Sequence, residues 1–380
     1  MTTLLHYDVA VQDPFLRHEI AEAASDPVVF IEHDGKRIVV AGLFEQAVFE
    51  RRDDVVDEFW SMQDLGSDEL ARDPNRPRNT IAPEIVLRAV KRLGVDKVVV
   101  PPSLGIFVAS YLAENGIELV VDEEMWWSRR RRKSPWELEG IERAQRAAET
   151  AMLAATRMLR EAEPTREGQL RFEGEILTAE LIRDAMEQEL LTQHCECGDL
   201  LVQSGATGMR GHDPGSGPIL PNETCIIDVW PKDLHTATHS DMTRTFVPGR
   251  PSAEVEKLHA ACREALDIGL EALRPGRDDA YEKVAEFLHE KGYPTQLHNT
   301  TGKPMKEGFN HGLGHGVGLE VHERPSLGRR SDALVEGDVV TVEPGLYFNG
   351  VGGVRLEDTI IVTEDGPEYF TEPMSYDLTP

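Results

Sequence analysis

The chain has 380 residues, 40% of them hydrophobic, enough for two or three domains around a large core and too long for a disulfide miniprotein or a peptide ligand. Its 68 acidic and 40 basic residues give a formal charge of −28, spread along the sequence. That field repels phosphate backbones and argues against nucleic acid as a partner. Arginine outnumbers lysine by 30 to 10, a balance compatible with a salt-adapted or a GC-rich source.

The four cysteines, Cys195, Cys197, Cys225 and Cys262, are too few and too scattered for a disulfide framework, which predicts reduced thiols in a cytoplasm. The first twenty residues carry His6, Asp8, Asp13, Arg17, His18 and Glu19, so no secretory leader is expected. The most apolar stretch, 98–113, is broken by Pro101, Pro102 and Gly105 and is too short to span a bilayer. A soluble protein with no membrane partner is expected.

Residues 1–128 alternate short β-branched runs (28–33, 37–42, 97–102 and 117–122) with longer mixed stretches, the pattern of a small α/β domain. The basic run 129–133 reads as a linker to a second domain, 134–380. There Ser134, Pro135 and Glu137 form a capping box with proline at the first helical position, followed by apolar residues at helical spacing. A second helix is expected over about 167–190, then strands at 200–205, 224–230 and 240–247. The order then repeats: a helix closed by Arg274-Pro275-Gly276, another capped by Asp278 and ending near Gly292, and strand runs 339–348 and 353–363. Helix, helix, paired strands, occurring twice, predicts a pseudo-duplicated domain with a site between its halves.

Three segments of that domain carry chemistry. In IIDVWPKDLHTATHSDMTRTF, Asp228 ends one apolar run and Asp241 begins the next, so a hairpin would bring them together. NHGLGHGVGLEVHERP holds His311, His315 and His322 among four glycines, which disfavour a helix by about 1 kcal/mol each and predict extended chain. VVTVEPGLY and GGVRLEDTIIV place Glu343 and Glu357 inside strand runs. Taken singly, each has an ordinary explanation: a turn-forming Asp, a Glu357–Arg355 ion pair, His311 as a satisfied core histidine. Together they put four carboxylates into apolar strand context, where an unpaired charge costs several kcal/mol. Two divalent cations would balance them. The oxygen-rich, thiolate-free set favours Mn²⁺, Co²⁺ or Fe²⁺ over structural Zn²⁺.

The strings SDMTRTF, HGLGHGVGLEVHE, EPGLY and GVRLED resemble the motifs of the pita-bread metallopeptidases, specifically the Xaa-Pro dipeptidase (prolidase) and aminopeptidase P branch. The likeness covers about 134–380; the preceding α/β domain is similar to that family's amino-terminal domain by position and pattern. The resemblance implies an α+β pita-bread (creatinase/aminopeptidase) catalytic domain with pseudo-twofold duplication, and Asp228, Asp241, His315, Glu343 and Glu357 as ligands of two divalent ions, Mn²⁺ first, with Co²⁺, Fe²⁺ or Zn²⁺ as alternatives. It implies catalytic roles for His322, Glu343 and His212, substrate contacts from His311, His212 and His322, and support of the carboxylates by Arg355. It further implies a cytoplasmic homodimer acting on proline-containing peptides. Its reaction would be attack of a metal-bridging hydroxide on the Xaa-Pro carbonyl, charge development towards a metal and His322, and protonation of the proline nitrogen by Glu343.

The Asp228–Asp241 spacing is longer than is usual in that family, and Val229-Trp230-Pro231 replaces its small residues, which predicts a pocket reshaped by Trp230. A methionine-aminopeptidase-like or other amino-terminal exopeptidase specificity is the alternative, although those enzymes usually lack an amino-terminal domain of this size. A creatinase-like hydrolase has no need of the five ligands, and a non-catalytic pita-bread binding protein would be expected to have lost them. No dinucleotide fingerprint, phosphate loop or nucleophile elbow occurs.

Overall fold

In the computed structural model, which describes residues 2–22 and 24–380, the chain divides into two compact units, 1–130 and 131–380. The β-branched runs of the first unit form four strands of a six-stranded sheet. With two strands that carry weaker sequence signals, they are β1 (Leu4–Val9), β2 (Pro27–His33), β3 (Lys36–Ala41), β4 (Glu58–Ser61), β5 (Lys97–Val100) and β6 (Glu118–Val121). Their order is β4-β3-β2-β1-β5-β6; β2 is antiparallel to its neighbours and the remaining pairings are parallel. Parallel strands need crossovers, supplied among others by α2 (Ile81–Arg92) and α3 (Ile106–Glu114). Helix α1 (Pro14–Ile20) is capped by Asp13, which accepts from the Leu16 N–H at 2.7 Å and from His6 at 2.8 Å.

The basic run is helical in its first part. Arg129–Arg131 finish α4 (Glu123–Arg131), where Arg129 pairs with Glu19 at 2.5 Å and with Glu32 at 2.8 Å.

In the second unit, α5 (Pro135–Glu161) starts on the capping box: the Ser134 N–H donates to the Glu137 carboxylate at 2.7 Å. The helix expected over 167–190 begins only at Ala179 (α6, Ala179–Thr192), where Thr178 accepts from the Leu181 N–H. Upstream, residues 163–176 form a small antiparallel meander. Its turns sit at Gly168 (φ 80°), Glu173 (φ 50°) and Gly174 (φ 91°), left-handed values that no helix interior admits. Strands β7 (Leu201–Ser204), β8 (Cys225–Val229) and β9 (Met242–Phe246) then pair antiparallel.

The pattern recurs with α7 (Ala253–Ala272) and α8 (Ala280–Glu290). At the start of α8 the cap position belongs to Asp279, not Asp278, and its carboxylate accepts from Arg277 at 3.0 Å. Next come β10 (Gly314–Gly316), β11 (Glu323–Leu327), β12 (Val339–Val342), the hairpin β13 (Gly345–Phe348) and β14 (Gly352–Arg355), then β15 (Asp358–Thr363) and β16 (Gly366–Tyr369). Their five-stranded sheet is ordered β11-β10-β12-β15-β16. The glycine-rich segment forms no helix, in line with its composition: 314–316 is strand and 318–322 bends, and Gly314 must be glycine because a Cβ there would stand 2.0 Å from the Thr341 carbonyl oxygen. Each half buries its helix pair on its own sheet: Ala148, Met152 and Met186 against Ile227 and Met242, and Cys262, Leu266 and Leu288 against Val342 and Ile360.

The sheets of the two halves meet where β9 runs beside the β14–β15 junction. The Glu357 N–H donates to the Thr243 carbonyl at 3.1 Å, the Asp241 N–H to Thr359 Oγ1 at 3.0 Å, and Arg244 Nη1 to the Glu357 carbonyl at 2.7 Å. This seam brings Asp241 and Glu357 together with Asp228.

Gly140, inside α5, tests how tightly the loop 230–241 is packed. An exposed helical Gly→Ala change gains about 1 kcal/mol. Here the added Cβ would lie 2.0 Å from Thr236 Oγ1 and 2.4 Å from Thr238 Oγ1, two buried hydroxyls hydrogen-bonded to each other at 2.7 Å. Overpacking costs about 1–3 kcal/mol, so Gly140→Ala lowers the thermal unfolding midpoint in scanning calorimetry; a raised midpoint would show that the loop yields.

Candidate metal centre

Asp228 lies on β8 with its register partner Thr243 on β9, and Asp241 immediately precedes β9, so both carboxylates sit at the same end of one antiparallel pair. The connection between them is no simple hairpin: residues 232–233 pair instead with 195–196. His315 is the central residue of β10, beside a register shift at His315/Gly316, the kind of irregularity that re-aims a side chain.

Glu343 and Glu357 are not inside strands as their runs predict. Each occupies a break, Glu343 between β12 and β13 and Glu357 between β14 and β15. Pro344 has no N–H for a ladder, and the Glu343 N–H donates to the Leu313 carbonyl at 2.7 Å, outside its own strand run. The breaks turn both carboxylates towards the cavity.

That cavity, of about 850 Å³, is lined by Asp228, Asp241, His315, Glu343, Glu357, Arg355, His212, His311 and His322, which are all nine residues singled out in the sequence. Oxygen or nitrogen atoms of Asp241, His315 and Glu357 lie within 4.8 Å of one another. His315 Nε2 is 3.7 Å from Asp241 Oδ2 and 3.7 Å from Glu343 Oε1. Its Nδ1 lies 3.1 Å from the Gly316 carbonyl, which only accepts, so Nδ1 carries the proton and Nε2 turns a lone pair to the carboxylates. His322 meets the His315 ring edge to face with centroids 4.3 Å apart, and His212 and His322 are exposed at the cavity.

Arg355 does not pair with Glu357. Its guanidinium contacts Asp228, donates to the Tyr347 hydroxyl at 2.9 Å, and reaches Thr243 Oγ1 at 3.2 Å. Thr243 in turn donates to Glu357 Oε2 at 2.6 Å. The Tyr347 hydroxyl donates to His311 Nε2 at 3.1 Å, whose Nδ1 is held by the Gly312 carbonyl at 2.7 Å. Even so, Asp228 Oδ1 and Asp241 Oδ1 are buried with no hydrogen-bond partner.

Against known proteins, the model of metallopeptidase family M24 matches residues 139–364, more than half of the chain. The chain belongs to metallopeptidase family M24.

Among curated M24-like relatives, the Xaa-Pro dipeptidase of Pyrococcus horikoshii is 31% identical over 244 residues, 63% of this chain and 62% of the relative. That of Lactobacillus helveticus is 34% identical over 180 residues, 46% and 45%. The chain therefore matches less than two thirds of the length of these relatives. Two solved structures share the fold across nearly the whole chain. An X-Pro aminopeptidase from Thermotoga maritima has a TM-score of 0.77 at 20% identity, covering 100% of this chain and 97% of its own. An Xaa-Pro dipeptidase from Bacillus anthracis has 0.76 at 22%, covering 99% and 94%. The second unit, with its repeated helix pair and sheet, is thus a pita-bread fold.

The electrostatics of this M24 cavity are those of a cation site. Asp228, Asp241 and Glu357 are only 8%, 5% and 2% exposed. Burial, then the neighbouring carboxylates, raises Asp241 and Glu357 well above the ordinary carboxyl range. Burial, with the charge of Asp228 added and that of Arg355 opposed, pushes Glu343 up to about 7. Burial, then the nearby His322, lowers His315 to about 4, so its imidazole is neutral at pH 7. A neutral imidazole, four crowded carboxylates and two orphaned carboxylate oxygens fit oxygen-rich divalent metal coordination.

Tyr347 and Thr243 were not legible as site residues. The signal for Tyr347 lay in pairing: it opposes Gly353 on the β13–β14 hairpin, one diagonal step from Arg355. Trp230 does line the cavity, as its bulk beside Asp228 suggested. The cysteines take no part; all four are buried without a disulfide, and burial raises Cys195 and Cys197 to about 11 and Cys225 to about 12.

Glu343 at about 7 in the folded chain, against an ordinary 4.5, contributes stability that is complete below 4.5 and lost as pH rises through 7. Metal binding has the opposite slope, since ligands must be deprotonated. The midpoint of chelator-treated protein therefore falls from pH 5 to 8, the gap to Mn²⁺-saturated protein widens over the same range, and Asp241→Asn closes that gap while raising the metal-free midpoint. A gap that is constant with pH would contradict the cluster.

Proposed function

We propose that this chain is a metal-dependent exopeptidase that hydrolyses the Xaa-Pro bond at the amino terminus of dipeptides or short peptides. The observation that carries it is the convergence of Asp228, Asp241, His315, Glu343 and Glu357 in one cavity with carboxylate oxygens left unpaired. The Xaa-Pro dipeptidases among its relatives, from Pyrococcus horikoshii and Lactobacillus helveticus, support the Xaa-Pro specificity.

Those five side chains would hold two divalent ions, Mn²⁺ in our reading, with Co²⁺, Fe²⁺ or Zn²⁺ as substitutes. When bound, the ions polarise the scissile carbonyl and make water a nucleophile near neutral pH. Arg355 holds Asp228 directly and Glu357 through Thr243, which fixes the carboxylates before substrate arrives. His322, exposed beside His315, would donate a hydrogen bond to the carbonyl oxygen as charge develops there. Proline leaves as a secondary amine whose nitrogen has no hydrogen in the peptide, so it must gain a proton. The Glu343 carboxylate, beside the attacking water, would take that proton and pass it to the proline nitrogen. His311, locked between Gly312 and Tyr347, and His212 at the opening line the path of the substrate.

The reading extends to a homodimer in a reducing cytoplasm, which the four unpaired cysteines suit. Among the described residues no helix is long and apolar enough to cross a membrane.

One assay tests the function. Metal-free protein reloaded with Mn²⁺, Co²⁺ or Zn²⁺ is offered Ala-Pro, Ala-Pro-Ala and Met-Ala-Ser. Cleavage of proline substrates alone is expected, and the ratio of the first two separates dipeptidase from aminopeptidase. Asp241→Ala removes a ligand to a centre supplying several kcal/mol, which lowers kcat by about 10³-fold. Turnover of Met-Ala-Ser in preference, or of no proline substrate with any metal, would overturn the assignment.

A further inference from the structure

The basic run 129–133 has no part in the proposed reaction, and its last residues, which belong to the second unit, pair with acidic residues of that unit. Arg131 donates to Asp338 Oδ2 at 2.5 Å and to the Ala333 carbonyl at 2.8 Å, immediately before β12. Two residues on, Lys133 forms an ion pair with Glu323, both side chains almost fully enclosed at 3% and 1% exposure. Glu323 is the first residue of β11 and follows His322 directly. It also accepts from the Glu320 N–H at 3.3 Å, closing the loop that carries His322.

Gly318 shows how closely this tether is fitted. A Cβ there would lie 2.8 Å from Lys133 Cε and 2.9 Å from Glu323 Oε1, so the glycine leaves room for the ion pair. The Gly318 carbonyl accepts from the His239 N–H at 2.7 Å, which fastens the other end of the loop to the segment leading into Asp241. Glu323 faces Lys133, while the adjacent His322, in the bend that precedes β11, lines the cavity edge-on to His315.

We propose that Lys133 is a positioning residue for His322, acting through Glu323. The proposal rests on the role given above to His322. Lys133→Met removes the enclosed ion pair that fixes this end of the loop, and His322, adjacent to Glu323, loses its fixed position with it.

Four variants test it: Lys133→Met, Glu323→Gln, the neutral pair Lys133→Met/Glu323→Gln, and Lys133→Met combined with His322→Ala. Lys133→Met is expected to lower kcat for an Xaa-Pro peptide by about 10- to 100-fold, the scale of a misplaced group. KM and bound Mn²⁺ are expected to stay within about twofold, since His322 acts on the charge that develops in the transition state and the ligand set is unchanged. In the His322→Ala background the same substitution is expected to cost less than about twofold, because two residues acting through one group are not additive. The neutral pair recovers the thermal midpoint without recovering kcat, and it keeps the question open to experiment if Lys133→Met does not fold. Equal losses in both backgrounds, or recovery of kcat together with stability, would show a purely structural pair and overturn the proposal. Histidine-selective NMR separates this from failure of the proposed function: a protein that cleaves no Xaa-Pro substrate still shows a displaced His322 ring signal in Lys133→Met if the tether exists. An unmoved signal there refutes it.

Discussion

Asp228, Asp241, Glu343 and Glu357 crowd one end of a cavity whose lining, among the described residues, holds a single guanidinium, that of Arg355, and the arrangement of the second unit around them answers this imbalance. Burial and mutual repulsion drive Asp241, Glu343 and Glu357 towards their protonated forms, while Arg355 is already committed to Asp228, Tyr347 and Thr243. An apolar core would not keep such a cluster without compensation. The neutral His315 imidazole, turned by the Gly316 carbonyl so that Nε2 faces the carboxylates, adds a neutral donor to this acidic cluster, as the proposed metal centre requires.

The carboxylates are held where they are by backbone more than by side chains. Strand β9 binds the β14–β15 junction through the Thr243 carbonyl and the side chains of Thr243, Arg244 and Thr245, and this seam joins the two halves of the pseudo-duplicated unit. The glutamates sit at breaks in their strands, where a regular ladder would have sent the side chains up or down by alternation. Breaking the ladder frees them to turn into the cavity, and the lost hydrogen bonds are replaced by bonds to Leu313 and Thr243. Such positions are tolerable only because the neighbouring elements fix the backbone on every side.

Much of this was legible without coordinates. The capping box at Ser134, the helix-free glycine-rich segment and the repeated order of helices and strands all follow from local chemistry that does not depend on distant residues. Local chemistry failed where the deciding partner was remote or where a turn overrode periodicity. The segment 167–178 has helix-compatible residues, yet left-handed turns at Gly168, Glu173 and Gly174 make it a meander. Arg355 and Glu357, two apart, suggested each other as partners, but the guanidinium crosses to Asp228, 127 residues away in sequence. The basic run read as a linker, although Lys133 finds its partner 190 positions later.

Residue type and short-range spacing determined which side chains could do chemistry: carboxylates in apolar runs, histidines among glycines, a pair of aspartates bracketing a loop. These are properties of the chain, because burying an acid in a strand has the same cost wherever the strand goes. Tertiary structure alone decided that those acids meet, which one the arginine neutralises, and that Tyr347, Thr243 and the Lys133–Glu323 pair stand behind them. Such pairings are chosen by which strand edges and loops come together, and that depends on the packing of both halves, which no local window of sequence contains.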